Sequence, residues 1–437
     1  MNQLPNVQPR VVIVGGGFAG LQAARSLKNK NVQITLIDKH NYHLFQPLLY
    51  QVATGGLSPG DIASPIRAVL SRQKNITIYQ DEMVSVDGEN REVIGHQRHY
   101  PYDYLIIAIG AKYAYFGHDG WRNHAPSLKT LQDALDMRSR ILDAFERAEL
   151  ETDAAARKAL MTFAIIGGGP TGVELAGAIG ELAHATLKNN FRNINPAQVE
   201  ILLLEAGPSI LSGFPRKLSD KGKASLSRLG VTVRTHTRVT NITAEGISIQ
   251  NDQGTQWVPC QTALWAAGVQ GLKISEHLAS AFGCERDRSG RLFTTPQLTA
   301  PGDDRVLFLG DMIHVKDAKG KVLPGIAPVA MQQGRYAGQY ITNHMTQRDN
   351  EPFRYWNKGI LAVIGRNAAV ADLGTVRASG FMAWVIWAII HIAYLIEFDN
   401  KILVMTQWAW NYFTRKRGAR IISESVGSTS TDIGQTT

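Results

Sequence analysis

Residues 10–20 read RVVIVGGGFAG, and the fold of the chain is decided there. Four β-formers, Val11, Val12, Ile13 and Val14, run straight into Gly15-Gly16-Gly17-Phe18-Ala19-Gly20, and a helix-compatible run, LQAARSLKN, follows. The pattern is a buried parallel strand, a tight turn and a helix start, with glycines in G-x-G-x-x-G spacing. Gly15 permits the sharp turn, Gly17 lets a pyrophosphate reach the backbone, and Gly20 lets the helix pack close to the strand. The helix start adds free N–H groups and a positive dipole end for phosphates. The next strand, residues 32–37, ends in Asp38, near the spacing of about 20 residues for the carboxylate that takes a ribose hydroxyl. A bound dinucleotide is the reading; a glycine-rich turn without a ligand is the plain alternative.

The pattern then repeats. Thr162–Ile166 is a strand, Gly167-Gly168-Gly169-Pro170-Thr171-Gly172 is its turn, and VELAGAIGELAHA is its helix. The following strand, 199–204, ends in Glu205. A second unit of this kind makes coincidence a poor account of the first and implies two dinucleotides. An acid at Glu205 pairs with a free 2′-hydroxyl and repels a 2′-phosphate, so NADH is favoured over NADPH. Each unit has a returning apolar strand. YDYLIIAIG (102–110) carries Ala108 and Gly110 over the first turn, and TALWAAG (262–268) carries Ala267 and Gly268 over the second.

A chain of 437 residues suggests about three domains. With 44% hydrophobic and 19% charged residues, a large core is available. The formal charge of +9 is scattered rather than patched, which argues against nucleic acid. Its one tight cluster, Arg415, Lys416, Arg417 and Arg420, suits anionic lipid headgroups better. Two cysteines, Cys260 and Cys284, make neither a disulfide framework nor a metal set, and His40 and His43 lack further ligands. No redox cysteine pair follows the first βαβ unit. No leader precedes the first strand, so a reducing cytoplasm is expected.

Between the units, 76–86 and 92–95 read as short strands, and 131–157 as one solvent-facing connecting helix. VLFLGD (306–311) places Asp311 at a sheet's C-terminal edge, where ligands bind. The prolines of LPGIAPVAMQQG (323–334) suit a helix start. From Phe381 the composition changes. FMAWVIWAIIHIAYLI is uncharged, and ILVMTQWAWNYF follows after EFDNK. The first run is short of the roughly 20 residues that span a bilayer. Together the runs hold Trp384, Trp387, Trp408, Trp410 and Tyr412, which favour a membrane interface. Two helices lying on one leaflet are expected, with a dimer interface or buried core helices as the alternative.

The residues resemble a two-dinucleotide flavoprotein of the pyridine-nucleotide-disulfide-reductase superfamily, and more closely bacterial type II NADH dehydrogenase (NADH:quinone oxidoreductase). The resemblance rests on GGGFAG (15–20), NYHLFQPLLYQVA (41–53), GGGPTGVELAG (167–177), LWAAGV (264–269), FLGD (308–311), APVAMQQG (327–334) and QWAWNYFTRKRGARII (407–422). The glycine-rich pieces are general to the superfamily; 41–53 and the C-terminal stretch are far more specific. The expected fold is α/β, with two Rossmann-type domains, one discontinuous, and a C-terminal membrane-surface helical segment. The boundaries are 9–125 with 290–350 for the FAD domain, 160–285 for NADH, 351–422 for the membrane-associated region and 423–437 for a disordered tail.

The resemblance implies non-covalent FAD on Gly15, Gly17, Phe18, Ala19, Gly20, Asp38 and Lys39, with Val84 near the adenine and Ala108 and Gly110 closing over it. It implies Asp311 at the ribitol, Ala327 and Pro328 beside the flavin ring, and Lys401, more loosely matched, reaching the flavin. NADH, the substrate, falls to Gly167, Gly169, Gly172, Glu205, Ala267 and Gly268, with Glu174 catalytic or merely a carboxylate stabilised by its helix start. Relatives carry Ala-Gln-x-Ala-x-Gln for quinone. Here Ala327, Ala330 and Gln332 match, and Pro328 replaces the first glutamine. The implied reaction passes hydride from NADH to FAD and two electrons to a membrane quinone, ubiquinone or menaquinone, without proton pumping. The implied place is the cytoplasmic face of the bacterial inner membrane, peripheral or monotopic, against lipid, and a homodimer is allowed. One rival is a sulfide:quinone oxidoreductase, whose redox cysteines are not in these motifs. The other is a non-respiratory NADH-sensing, flavin-binding interaction protein.

Overall fold

The computed structural model describes residues 8–422. The expected tail, 423–437, lies outside them. The chain divides into two compact units. One comprises the chain up to Phe45, Ala63–Ala114 and Gly268–Lys358; the other comprises Gln46–Ile62, Tyr115–Ala267 and the chain from Gly359.

The first unit is built on a six-stranded sheet. Its order is Thr299–Ala300, Asp303–Phe308, Tyr104–Ile107, Arg10–Val14, Gln33–Asp38, Ile76–Gln80. All neighbours are parallel except the first pair. Arg10–Val14 pairs with Gln33–Asp38 on one side and with the returning strand on the other, Val11 against Tyr104 through Val14 against Ile107. The strand order therefore reverses at the glycine turn, the point where open parallel sheets bind ligands. Val11 to Val14 are all buried, as a strand covered on both faces must be.

The expected strand 76–86 is two strands, Ile76–Gln80 and Met83–Asp87. Asp81 breaks it. Its carboxylate accepts from the backbone N–H groups of Glu82, His96 and Gln97 and from the Tyr100 hydroxyl at 2.7 Å. Such local bonds compete with a strand ladder. Met83–Asp87 then opens a three-stranded antiparallel sheet with Glu92–Gly95 and His99–Pro101.

The second unit repeats the parallel core as Val231–Arg234, Glu200–Leu204, Thr162–Ile166, Thr262–Trp265. Leading into it, residues 131–157 are not one solvent-facing helix. Leu131–Leu150 carries a capping box from Thr130 and Asp133, and it buries Met137, Ile141 and Phe145. Glu151 leaves the helix in an extended conformation, and Asp153 caps a new one, Ala154–Leu160, by accepting from the Ala156 N–H at 2.7 Å. The polar Glu-Thr-Asp run offers the backbone side-chain partners and so stops the first helix.

The same unit contains a three-stranded antiparallel sheet, Ile360–Gly365, Ala368–Asp372 and Arg377–Gly380, that the sequence reading left unassigned. Two helices close the described chain, Phe381–Tyr394 and Phe398–Thr414. Among the described residues, no helix is long and apolar enough to cross a membrane.

Candidate active site

Each glycine turn is held by the same contacts. Gly15 and Gly167 sit at φ +104° and +111°, where side chains are strained, and a Cβ on either would strike the carbonyl group of the returning strand's end, at Ala108 or Ala266. A Cβ on Gly20 would lie 1.8 Å from the Gly15 carbonyl oxygen, and one on Gly172 1.9 Å from that of Gly167. Gly17 and Gly169, by contrast, have nothing within 4 Å of the Cβ position. That open space is where a phosphate can meet the backbone. Both helices begin without a side-chain cap, leaving their first N–H groups for a ligand.

The acids follow suit. Asp38 accepts from the Gly16 N–H at 2.6 Å and the His40 N–H at 2.7 Å. Burial pushes its carboxyl up, and these two bonds pull against that. Glu205 accepts from the Gly168 N–H at 2.7 Å and the Gly207 N–H at 2.6 Å. The two turns thus fit a dinucleotide apiece.

Other expected residues fall as follows. In the first unit Asp311 lies in the short turn after Asp303–Phe308, with Gly325 close against its carboxylate. Ala327 and Pro328 open the helix Ala327–Met345, again without a side-chain cap. Lys39 is exposed, 3.9 Å from Glu82, and Val84 is exposed on Met83–Asp87. Gly110 adopts φ +72° past the end of its strand. Ala330 is buried. The Gln332 amide is engaged at both ends by Trp356, donating to its carbonyl and accepting from its N–H, each at 2.9 Å. In the second unit Lys401 donates to the Ala393 carbonyl at 3.1 Å. The boundary between units falls between Ala267 and Gly268.

Glu174 is the site's unusual group. It sits on the second turn of Pro170–Glu181, and that helix touches the strand Ile360–Gly365 closely enough that a Cβ on Gly177 would lie 1.7 Å from the Ile364 carbonyl oxygen. Beside Glu174 opens a cavity of about 570 Å³ whose walls include Tyr50, Trp384, Trp387 and Trp408. Burial pushes the Glu174 carboxyl up to about 8, against a hydrogen bond from the Val363 backbone that holds it down. It is neutral over much of the physiological range, unlike an ordinary glutamate.

Sequence reading missed what shapes this cavity. Trp408 Nε1–H donates to Gln51 Oε1, Asn411 donates to the Gly56 carbonyl, and Arg417 donates to the carbonyls of Thr54 and Ala178 and to Glu181 at 3.1 Å. Burial pulls the Arg417 guanidinium below its usual value, with Glu181 opposing. A π-helical turn, Leu182–Thr186, follows Glu181; such turns recur at functional sites. The available signal was that 41–53 and 407–422 are the two most distinctive stretches of the chain. They meet here. Cys260 and Cys284 are buried and unpaired, and burial pushes their thiols up to about 12 and about 11.

Residues 9–334 match the family model for pyridine nucleotide-disulphide oxidoreductases, and residues 357–417 match that for the NDH2 C-terminal domain. The chain is 40% identical over 445 residues to the type II NADH:quinone oxidoreductase Ndh of Mycobacterium tuberculosis, covering 99% of this chain and 95% of that one. It belongs to the type II NADH:quinone oxidoreductases. The NdhA enzyme of that name from the same organism is 41% identical over 427 residues, covering 95% and 90%. In fold, this type II oxidoreductase resembles NDH2 from Plasmodium falciparum in complex with NADH, with a TM-score of 0.86 and 21% identity, covering 96% of this chain and all of that one. The sulfide:quinone oxidoreductase of Aquifex aeolicus shares the fold less closely, at TM-score 0.73 and 17% identity over 93% of this chain and 95% of that one.

Proposed function

We propose that the first glycine turn holds FAD, that the second holds NADH, and that the cavity beside Glu174 takes the quinone. The chain is an NADH:quinone oxidoreductase that works with FAD. FAD supplies the redox chemistry, taking a hydride from NADH and passing two electrons to quinone. The sum is NADH, one proton and quinone giving NAD⁺ and quinol, so a proton must be at hand. Glu174 keeps one at neutral pH because its carboxyl is pushed up to about 8. That poised acid in an aromatic-walled cavity carries the proposal.

In the first unit, Asp38 takes the adenosine ribose, Lys39 and Val84 flank the adenosine, and Asp311 takes the ribitol. The uncapped start of Ala327–Met345 would present the positive end of its helix dipole to the flavin ring, with Ala327 and Pro328 as the residues beside it. Ala327, Ala330 and Gln332, to which the resemblance gives quinone, are not among the residues lining the cavity beside Glu174, and the Gln332 amide instead holds Trp356. Lys401 is given the flavin-facing role its match implies. In the second unit, Glu205 takes the NADH ribose.

Phe398, Ile402, Leu403, Met405, Trp410 and Phe413 are exposed along one C-terminal helix. We assign them to the membrane surface on its cytoplasmic face, with Lys416 and Arg420 against anionic headgroups. Changing Leu403 and Phe413 to Glu is expected to move the protein from the membrane pellet to the supernatant; retention contradicts the assignment.

Steady-state oxidation with NADH, NADPH, sulfide and a soluble quinone analogue tests the function. Fast multiple turnover with NADH and quinone is expected. Slow or single turnover favours a sensor, and sulfide-driven reduction favours the other rival.

A further inference from the structure

Trp408, Gln51 and Tyr50 form a hydrogen-bonded chain on the wall of the Glu174 cavity, and its direction is forced. The Trp408 indole is a donor only. Its Nε1–H lies 2.8 Å from Gln51 Oε1, and Trp387 stacks on its ring with centroids 5.0 Å apart. The opposite amide orientation would set two N–H donors against each other, so the oxygen of Gln51 faces Trp408. The amide nitrogen then faces Tyr50, whose hydroxyl oxygen accepts from Gln51 Nε2 at 2.8 Å. A hydroxyl that accepts from an amide still has its own hydrogen to give. Among the described residues, no hydrogen bond uses the Tyr50 hydroxyl as donor. Tyr50 lines the cavity with Glu174.

We propose that the Tyr50 hydroxyl donates to a carbonyl oxygen of the quinone and so positions it beside Glu174. This rests on reading the cavity as the quinone site. A quinone offers only acceptors to the protein before reduction, and the forced chain leaves a donor directed by two other side chains. Burial, with the Glu174 and Glu181 charges adding to it, pushes the Tyr50 hydroxyl well above its ordinary value. It stays protonated and keeps its role across the working pH range.

Three variants of the full-length holoenzyme test this with a soluble quinone analogue. Tyr50→Phe is expected to raise the KM for quinone about three- to tenfold, the worth of one hydrogen bond, while stopped-flow reduction of the bound flavin by NADH is unchanged. Trp408→Phe keeps an aromatic ring but frees the amide to turn, so that Gln51 Oε1 can consume the Tyr50 hydrogen. It is expected to raise KM similarly, and the double variant no further than either single one. Additive effects overturn the forced direction. Ala185→Phe fills the cavity from the π-helical turn and checks the site itself. If it raises KM while Tyr50→Phe does not, Tyr50 is not the donor and the cavity reading stands. If neither moves KM, quinone binds elsewhere and both readings fall.

Discussion

The helices behind the two glycine turns are copies that have been put to different use. Position for position, Gln22 follows Gly20 as Glu174 follows Gly172. In the first unit the helix Phe18–Ser26 lies against Ala327–Met345, so close that a Cβ on Gly334 would sit 2.1 Å from the Ala19 carbonyl oxygen. Gln22 there faces a polar surface and accepts from Arg335 at 3.3 Å. In the second unit the helix lies against the strand Ile360–Gly365 and a cavity, and the matching side chain is a carboxyl raised to about 8. One motif builds both nucleotide sites; what packs on the helix decides whether it also carries chemistry.

The strongest test attacks what the copies share. Gly20→Ala and Gly172→Ala drive a methyl group into the turn's own carbonyl oxygen, 1.8 and 1.9 Å away. Each is expected to cost about 3 kcal/mol or more in urea unfolding, the upper end of overpacking. Gly20→Ala should purify without flavin. Gly172→Ala should keep the flavin and lose its reduction by NADH. Colourless Gly172→Ala with yellow Gly20→Ala would reverse the assignment of the two turns.

The next test attacks what they do not share. Glu174→Gln is expected to lower quinone-coupled kcat about a hundredfold, within the usual range for a positioned acid, while the KM for NADH holds. An unchanged kcat would make Glu174 a structural carboxylate. The same variant has a pH signature. The folded protein binds the Glu174 proton more tightly than the unfolded chain, where glutamate titrates near 4.3. That stabilisation is complete below the unfolded value and is lost as pH rises to about 8, so Glu174→Gln gains on the wild type in thermal midpoint over that window. Parallel profiles would mean that the carboxyl is not raised.

Local signals made the two nucleotide folds legible. Strand, turn and helix are contiguous in each, and the glycines mark atomic collisions a few residues away. Breaks such as Asp81 and Glu151–Asp153 are equally local, and polar side chains that compete with the backbone could have flagged them. The cavity was not legible in this way. Gln51 and Trp408 are 357 positions apart, and so distant a bond leaves no periodicity in either stretch. Arg417, read as part of a lipid-facing cluster, is instead largely covered and paired with Glu181 on the cavity wall. Only the peculiarity of 41–53 and 407–422 hinted that they belong together.

Gly17→Ala and Gly169→Ala separate the ligand from the fold. Their Cβ positions are open, so stability without the ligand should stay within about 0.5 kcal/mol of the wild type. Each methyl group stands where a pyrophosphate approaches, and affinity for FAD or NADH should fall about tenfold, one step of 1.4 kcal/mol. Fluorescence titration of apoprotein with FAD, and the KM for NADH, read the two effects separately. A loss of stability equal to that of Gly20→Ala would mean that the turn's inner contacts, not its open space, dominate both positions.

The smallest expected effect is at Gln22. Its bond to Arg335 is long and solvent-exposed, so Gln22→Ala should shift stability by no more than about 0.5 kcal/mol and leave turnover intact. Its value lies in the pairing with Glu174→Gln. Both variants alter the same position of the same motif, and both introduce a residue that favours a helix. If Gln22→Ala depresses quinone-coupled turnover as deeply, the motif's helix matters to catalysis in either unit, and the cavity is not what sets Glu174 apart. If only the Glu174 variant does so, the acid's surroundings account for the difference.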